Sequence, residues 1–318
     1  MSASCGRRFT SKLLTLATAV AVAGVVQVAS AGAAGAVVAA APQLAPVTSY
    51  AVASPGASAR GAVLTADGKT LYVAGIQDKA IWKVETETGN VLAQADLASI
   101  NPEAWGKAVA VDGQGRVWAT GTVPELYLFD ANLELQAMFD LARFGLADPE
   151  GVAVDSYGRL YVTDRKGKVG VYRFLEDGEG EIALDQSWGK GGFAAVGADI
   201  RQPAFNPGVG VVVGDFAGDT LYYLWVVDGS VRPLAKLASA FHVAADEQGR
   251  SYVVHYGGEP GLTILSGTGE TLATFTKADL GIQTEAAGVA VSADGTLLVL
   301  LDQRPGDGLN VKVFRLQW

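Results

Sequence analysis

The stretch PEGVAVDSYGRLYVTD, residues 149–164, constrains this chain more than any other feature, because it recurs. It runs from an apolar triplet (Val152, Ala153, Val154) through an acid, Asp155, to a turn at Tyr157-Gly158. A second triplet (Leu160, Tyr161, Val162) and a second acid, Asp164, complete it. KAVAVDGQGRVWATG from Lys107 and FHVAADEQGRSYVVH from Phe241 keep this order, with Asp112 and Gly115, then Asp246 and Gly249, in place. AGVAVSADGTLLVLL from Ala287 carries Ser292 at the first acid, and RGAVLTADGKTLYVAG from Arg60 adds one turn residue. RQPAFNPGVGVVVGDF from Arg201 aligns Asn206 with Asp155 and Asp215 with Asp164. The copies start near 60, 107, 150, 201, 241 and 287, a period of 40 to 51 residues.

Each copy continues into a third apolar run, such as KVGVYRFL or TLYYLWVV, and all but the last into a fourth, such as ELQAMFDL or SVRPLAKL. These runs are short, rich in β-branched and aromatic residues, and bounded by Gly, Asp and Asn turns, so they read as strands. Helical periodicity is confined to Asp140–Gly145. Four strands repeated at this period predict an all-β fold, a six-bladed β-propeller. The last unit stops after its third strand at Trp318, and a spare strand, VTSYAVA (Val47 to Ala53), precedes the first. An open sheet edge invites aggregation, so the N-terminal strand is expected to complete the last blade. A solenoid, the other repeat architecture, would need distinct caps instead.

The repeated acids and glycines suit the turns. Asx side chains accept from backbone N–H groups two residues on, and Gly115, Gly158 and Gly249 supply positive φ. Tyr72, Trp118, Tyr161 and Tyr252 are expected to fill the space between blades. Function is expected where the copies differ. The lead-in positions, Arg60, Lys107, Glu150, Arg201, Phe241 and Ala287, should crowd one mouth of the central channel. So should the exits of the second strands: Gly75, Gly121, Asp164, Asp215, His255, and Leu301 or Asp302. Glu103, Trp105, Asp148, His242 and Glu285 lie in or beside the same loops.

Two readings of this mouth stay open. Arg60, Lys107 and Arg201, with Phe241 and Glu285, form a candidate binding site, because clustered cations focus a positive potential that favours a small anion. Alternatively, the cations pair with Glu150, Asp164 and Asp215 and only neutralise a crowded rim. Catalysis would rest on Glu150, Asp215 and His255, an imidazole expected to face Asp215 or Asp302 as a general base. His242 replaces a repeat glycine and reads as packing.

The pattern P-x-G-V-A-V-D-x-x-G-x-L-Y-V-T-D resembles the NHL-type repeat of six-bladed propellers of the gluconolactonase and strictosidine-synthase type. The resemblance covers about residues 47–318 at the level of the repeat. It implies a lactonase, hydrolase or lyase, and for the gluconolactonase type a divalent metal such as Ca²⁺ at the channel top. Glu150 matches the acid of that family's P-D-G motif by position. The family's N-terminal Glu, expected near Ser58–Arg60, is missing, and Asn206 in FNPG falls at a turn rather than in its P-N-G motif. The single Glu of the strictosidine-synthase type would be Glu285 or Glu150. The metal ligands named by this route, Glu150, Asp164 and Asp215, fall short of the six or more oxygens calcium takes. The residues do not choose between enzyme and binding module.

The N-terminus is a targeting segment. Arg7, Arg8 and Lys12 precede an apolar run from Leu13 to Val28, and Ala29-Ser30-Ala31 is a small-residue cleavage site, so residues 1–31 read as a secretory signal peptide. A twin-arginine signal and an uncleaved membrane anchor are the alternatives. Residues 32–46, rich in Ala and Pro and uncharged, read as a tether, and 47–318 as the propeller. The leader holds three cations and no acid, so its removal takes the net charge from −9 to −12. Such a surface repels nucleic acid and anionic lipid. The one cysteine, Cys5, lies in the leader, leaving no disulfide, thiolate site or thiol nucleophile. No G-x-S-x-G elbow, phosphate loop or H-E-x-x-H motif occurs; Gly189-Lys190-Gly191-Gly192 reads as a turn. The expectation is a secreted or periplasmic monomer that binds a small molecule or a protein at its channel mouth.

Overall fold

The computed structural model describes residues 41–52, 58–175, 180–304 and 308–318. The leader and most of the tether lie outside the described residues, as does Ala53 of the spare strand. Within residues 40–318, six antiparallel sheets follow one another along the chain, each of at least four strands. Their inner strands are Ala59–Leu64, Gly106–Val111, Pro149–Val154, Ile200–Asn206, Ala240–Ala245 and Glu285–Val291. Consecutive inner strands touch, and the sixth touches the first, so the ring is closed. This is a six-bladed β-propeller.

Closure takes the expected form. Gln43–Ala51 is the outer strand of blade 6, antiparallel to Gly308–Gln317, with Gln43 opposite Gln317 and Ala51 opposite Asn310. The strand starts earlier than its apolar pattern suggests: Gln43 to Pro46, assigned to the tether by composition, pair in the sheet. Backbone pairing on a half-exposed edge needs no apolar side chain, so composition misses it.

Among the described residues six apolar clusters form, one at each blade interface. Trp118, Tyr161 and Tyr252 are buried at these interfaces as expected, each side chain contributing roughly 1.5–3 kcal/mol of transfer free energy. In three blades an Asp-x-x-Gly-Arg turn binds the interface to its hairpin. Asp155 Oδ1 accepts from the N–H of Tyr157 and of Arg159, while Oδ2 accepts from Arg159 Nε and the Tyr161 hydroxyl. Asp112 and Asp246 repeat the set with Arg116 and Trp118, and with Arg250 and Tyr252. Gly158, at φ 76°, closes the turn. The expected helical stretch is one 3₁₀ turn, Ala142–Phe144, and a single α-helical turn, Leu97–Ile100, is capped by Asp96. Blade 3 carries a fifth short strand, Phe193–Ala195, beside Lys168–Gly170 at the start of Lys168–Leu175.

One irregularity repeats and positions the site. The ladder between first and second strands slips near the start of every inner strand. Gly106 faces Gly121 and Ala108 faces Thr120, which leaves Lys107 without an opposite number. Arg60, Glu150, Phe241 and Ala287 are the equivalent extra residues, and in blade 4 Arg201 and Gln202 together stand opposite the single Gly214, the same one-residue slip. A bulge turns a side chain out of the strand's alternation. Here the slips present successive lead-in side chains to the channel.

Candidate functional site

Five of the six lead-in residues meet. Arg60, Lys107, Glu150, Arg201 and Phe241, with Gln202 and His242, line a cavity of about 10 Å³, the room of one water, at the start of the inner strands. Ala287, the sixth, is buried and is not among the lining residues.

Glu150 is the hub. Its Oε1 lies 3.1 Å from Arg201 Nη1 and 3.4 Å from Arg60 Nη1. Its Oε2 has no aligned hydrogen-bond donor but lies 3.1 Å from Lys107 Nζ. Lys107 also donates to Asp148 at 2.7 Å, and Arg201 to Asp199 at 2.6 Å. Three lead-in cations thus face three carboxylates, one of which, Asp199, also pairs with Arg165 at 3.5 Å. The acids differ from those expected: Asp148 and Asp199 take part, not Asp164 and Asp215. Of the cations, Arg60 alone is substantially open, with 36% of its side chain exposed.

Aromatic rings flank the guanidinium groups. Arg201 lies 5.1 Å from the Phe216 ring and 5.4 Å from Phe241, and Arg60 lies 5.8 Å from Phe241. Phe241 stacks on Tyr256 at 4.9 Å and meets Phe216 edge-on at 5.9 Å. Phe216 and Tyr256 are half-buried, so this shelf of rings and guanidiniums reaches solvent.

The exit residues do other work. Asp164 accepts from the N–H of Ala147 and Asp148, and Asp215 from those of Ala198 and Asp199. Each fastens the lead-in loop of its own blade to the end of its second strand. Asp302, the blade 6 exit opposite Ala286, accepts from Gln283 N–H in the same way. His255 plays this part with reversed polarity. Its Nδ1–H donates to the Ala238 carbonyl at 2.6 Å, and Nε2 pairs with the Thr263 hydroxyl at 2.9 Å. The partners of both ring nitrogens are therefore Ala238 and Thr263, rather than the Asp215 or Asp302 expected of a base, and burial holds the imidazole's pKa below its ordinary value. Glu285 accepts from Gly257 N–H and Lys277 Nζ, joining blades 5 and 6.

Two further residues belong to the cavity. Gln202 and His242 occupy the position after the lead-in residue, which is Gly61, Ala108, Gly151 and Gly288 in the other blades. A Cβ on Gly61 would lie 2.6 Å from Ala108 Cα, so small residues here let neighbouring inner strands close in. Blades 4 and 5 break the rule with polar side chains. Gln202 donates to the Val152 carbonyl, and His242 Nδ1 accepts from Val289 N–H at 3.0 Å. Gln202 Oε1 and His242 Nε2 have no partner. Burial drives the His242 pKa down to about 3, so the ring is neutral.

A divalent cation does not fit this donor set. Both oxygens of Glu150 face cations, and Asp164 and Asp215 are engaged by backbone amides outside the cavity. Among the described residues no group of three or more His, Cys, Asp or Glu side chains is placed to hold a metal.

A family model described as strictosidine synthase-like, N-terminal, matches residues 129–173, from the end of blade 2 into blade 3. Among curated proteins no sequence match is found. Solved structures match over most of the chain. A calcium-binding protein, regucalcin, from Agrobacterium tumefaciens superposes with a TM-score of 0.62 at 14% identity, covering 85% of this chain and 95% of that one. A streptogramin B lyase gives 0.60 at 11%, covering 87% and 98%. A gluconolactonase from Xanthomonas campestris gives 0.59 at 15%, covering 87% and 95%. At these identities the likeness is one of fold.

Proposed function

We propose that this chain is an exported, monomeric binding propeller of the NHL-like kind that receives a small molecule at the mouth of its channel. The observation that carries this reading is the state of Glu150. A carboxylate whose two oxygens face Lys107, Arg201 and Arg60 has no oxygen left for a metal. What the mouth offers is a surface: the open Arg60 guanidinium beside Phe241, Phe216 and Tyr256. Such a surface takes a flat ring, aromatic or sugar, by stacking and cation–π attraction. Export is supported by the leader pattern of residues 1–31.

The alternative is a gluconolactonase-like or strictosidine-synthase-like enzyme working through Glu150, Asp215 and His255, with Ca²⁺ as a metal. The fold likeness favours it, and it requires Lys107 and Arg201 to release Glu150. A ligand-observed NMR screen of aromatic and sugar fragments, run on the purified protein and on Arg60→Ala and Phe216→Ala, separates the two. Hits that weaken in both variants support the binding module. Calcium-dependent lactone hydrolysis that disappears in Glu150→Gln would refute it.

A further inference from the structure

We propose that the opposite end of the channel is a second binding site, for a small apolar molecule carrying one positive charge. This goes beyond the mouth, with which it shares only Gln202. Below the plug that the side chains of the mouth form, the channel widens into a funnel of about 400 Å³, lined by the later halves of all six inner strands and the turns that follow them. Its walls are small and apolar: Val63, Val111, Val154, Ala204 and Ala244 are half-buried there, and Phe205 adds a ring. Alanine and valine at these positions make the width, since larger side chains would fill the axis as Arg201, Gln202 and Phe241 do above. Gln202 lines both cavities and forms the partition between them. A mostly apolar recess of this volume lies within the range of small-molecule sites, and the plug leaves it one way in, from the turn face.

The charge of the ligand follows from the rim. Asp112, Asp155 and Asp246 stand there, but their oxygens are engaged by turn amides and by Arg116, Arg159 and Arg250. Glu247 is different. It is exposed, its carboxylate makes no ion pair among the described residues, and it lines both the funnel and an adjoining cleft of about 580 Å³ between blades 6 and 1. That cleft is acidic. Asp67, Glu85, Glu87 and Asp294 face Lys69 and Arg315, and Arg315 is paired with Glu87. Hydrogen bonds from Thr65, Thr88 and Ser292 hold Asp67, Glu85 and Asp294 below the usual carboxylate range, so they stay ionised at neutral pH. An apolar body seated in the funnel therefore projects its head group into a negative field at Glu247.

Three probes with one body and three heads test this: 4-phenylbutylamine, 4-phenylbutanol and 4-phenylbutyrate, titrated by calorimetry into the full chain at low salt. The amine is expected to bind tightest and the butyrate weakest. Glu247→Gln should weaken the amine by about fivefold while leaving the alcohol unchanged. Ala204→Phe, and independently Val111→Phe, should abolish binding of all three while circular dichroism shows the fold intact. Equal affinity for the three heads, no binding of the amine at millimolar concentration, or unchanged affinity in a folded funnel-filling variant would overturn the proposal.

Discussion

Arg201 of blade 4 holds Glu150 of blade 3 at 3.1 Å, and both are extra residues of the bulges that open their inner strands. The contact therefore crosses a blade interface at the point where each ladder slips. Replacing Glu150 by Met leaves Lys107 and Arg201 buried and short of a partner, and should cost about 3–5 kcal/mol in urea unfolding. Replacing both Glu150 and Arg201 by Met should cost less than Glu150→Met alone. A double variant weaker than the single one would show that packing, not charge, decides this site.

The Asp155 turn predicts a loss of similar size at a site remote from the mouth. Asp155→Ala removes the acceptor for two backbone amides, Arg159 Nε and the Tyr161 hydroxyl, the last of these bonds buried and the other three part-buried. The expected cost is about 2–4 kcal/mol. Asp155→Asn, which keeps the amide acceptor, should fall between it and the parent when the two are compared by thermal melts.

Calcium is expected to leave the melting temperature unchanged up to millimolar concentration, and EDTA likewise, because Glu150 is occupied by cations. A saturable rise with calcium would mean that a native-state site binds it and would restore the metal-assisted reading.

Acid should weaken the fold through His242. Its pKa is about 3 in the folded protein against 6.5 unperturbed, because burial disfavours the cation. Between those values the unfolded chain binds the additional proton, so stability falls as pH drops from 6.5 towards 3, by about 3 kcal/mol at pH 4. His255, shifted the same way, adds to the loss. In His242→Gln the acid limb of stability against pH should be shallower; an unchanged slope would remove His242 as its source.

Deleting residues 43–51 should expose the edge of Gly308–Gln317 and produce concentration-dependent association in sedimentation. A deletion variant that stays monomeric and melts like the parent would show that the ring closes without its N-terminal strand.

How much of this the sequence disclosed depends on range. The six blades, the completing strand and the Asx turns rest on local patterns repeated six times, and repetition raises a weak signal above noise. The convergence of Arg60, Lys107, Glu150, Arg201 and Phe241 also followed from the alignment. The partners of the cations did not. Asp148 and Asp199 lie in lead-in loops that differ from blade to blade, so no alignment sets them opposite Lys107 and Arg201. The bulges were invisible for a related reason: a slip in register belongs to two strands at once and leaves no mark on either. The partners of His255 were not foreseen because they are a carbonyl and a hydroxyl, groups that a search for charged neighbours passes over. Gln202 did leave a trace, as a large polar residue where Gly61, Gly151 and Gly288 stand in other blades.

The seam at Gln43 and Gln317 has a mechanical corollary. Because the first and last paired residues sit side by side, a force drawing the two termini apart acts on one rung of the ladder at a time and unzips it from that end. A pull applied at Gln43 along the strand axis, against the ring held elsewhere, loads all the rungs together. Optical-trap traces should therefore show a low-force opening in the first geometry and a higher rupture force in the second.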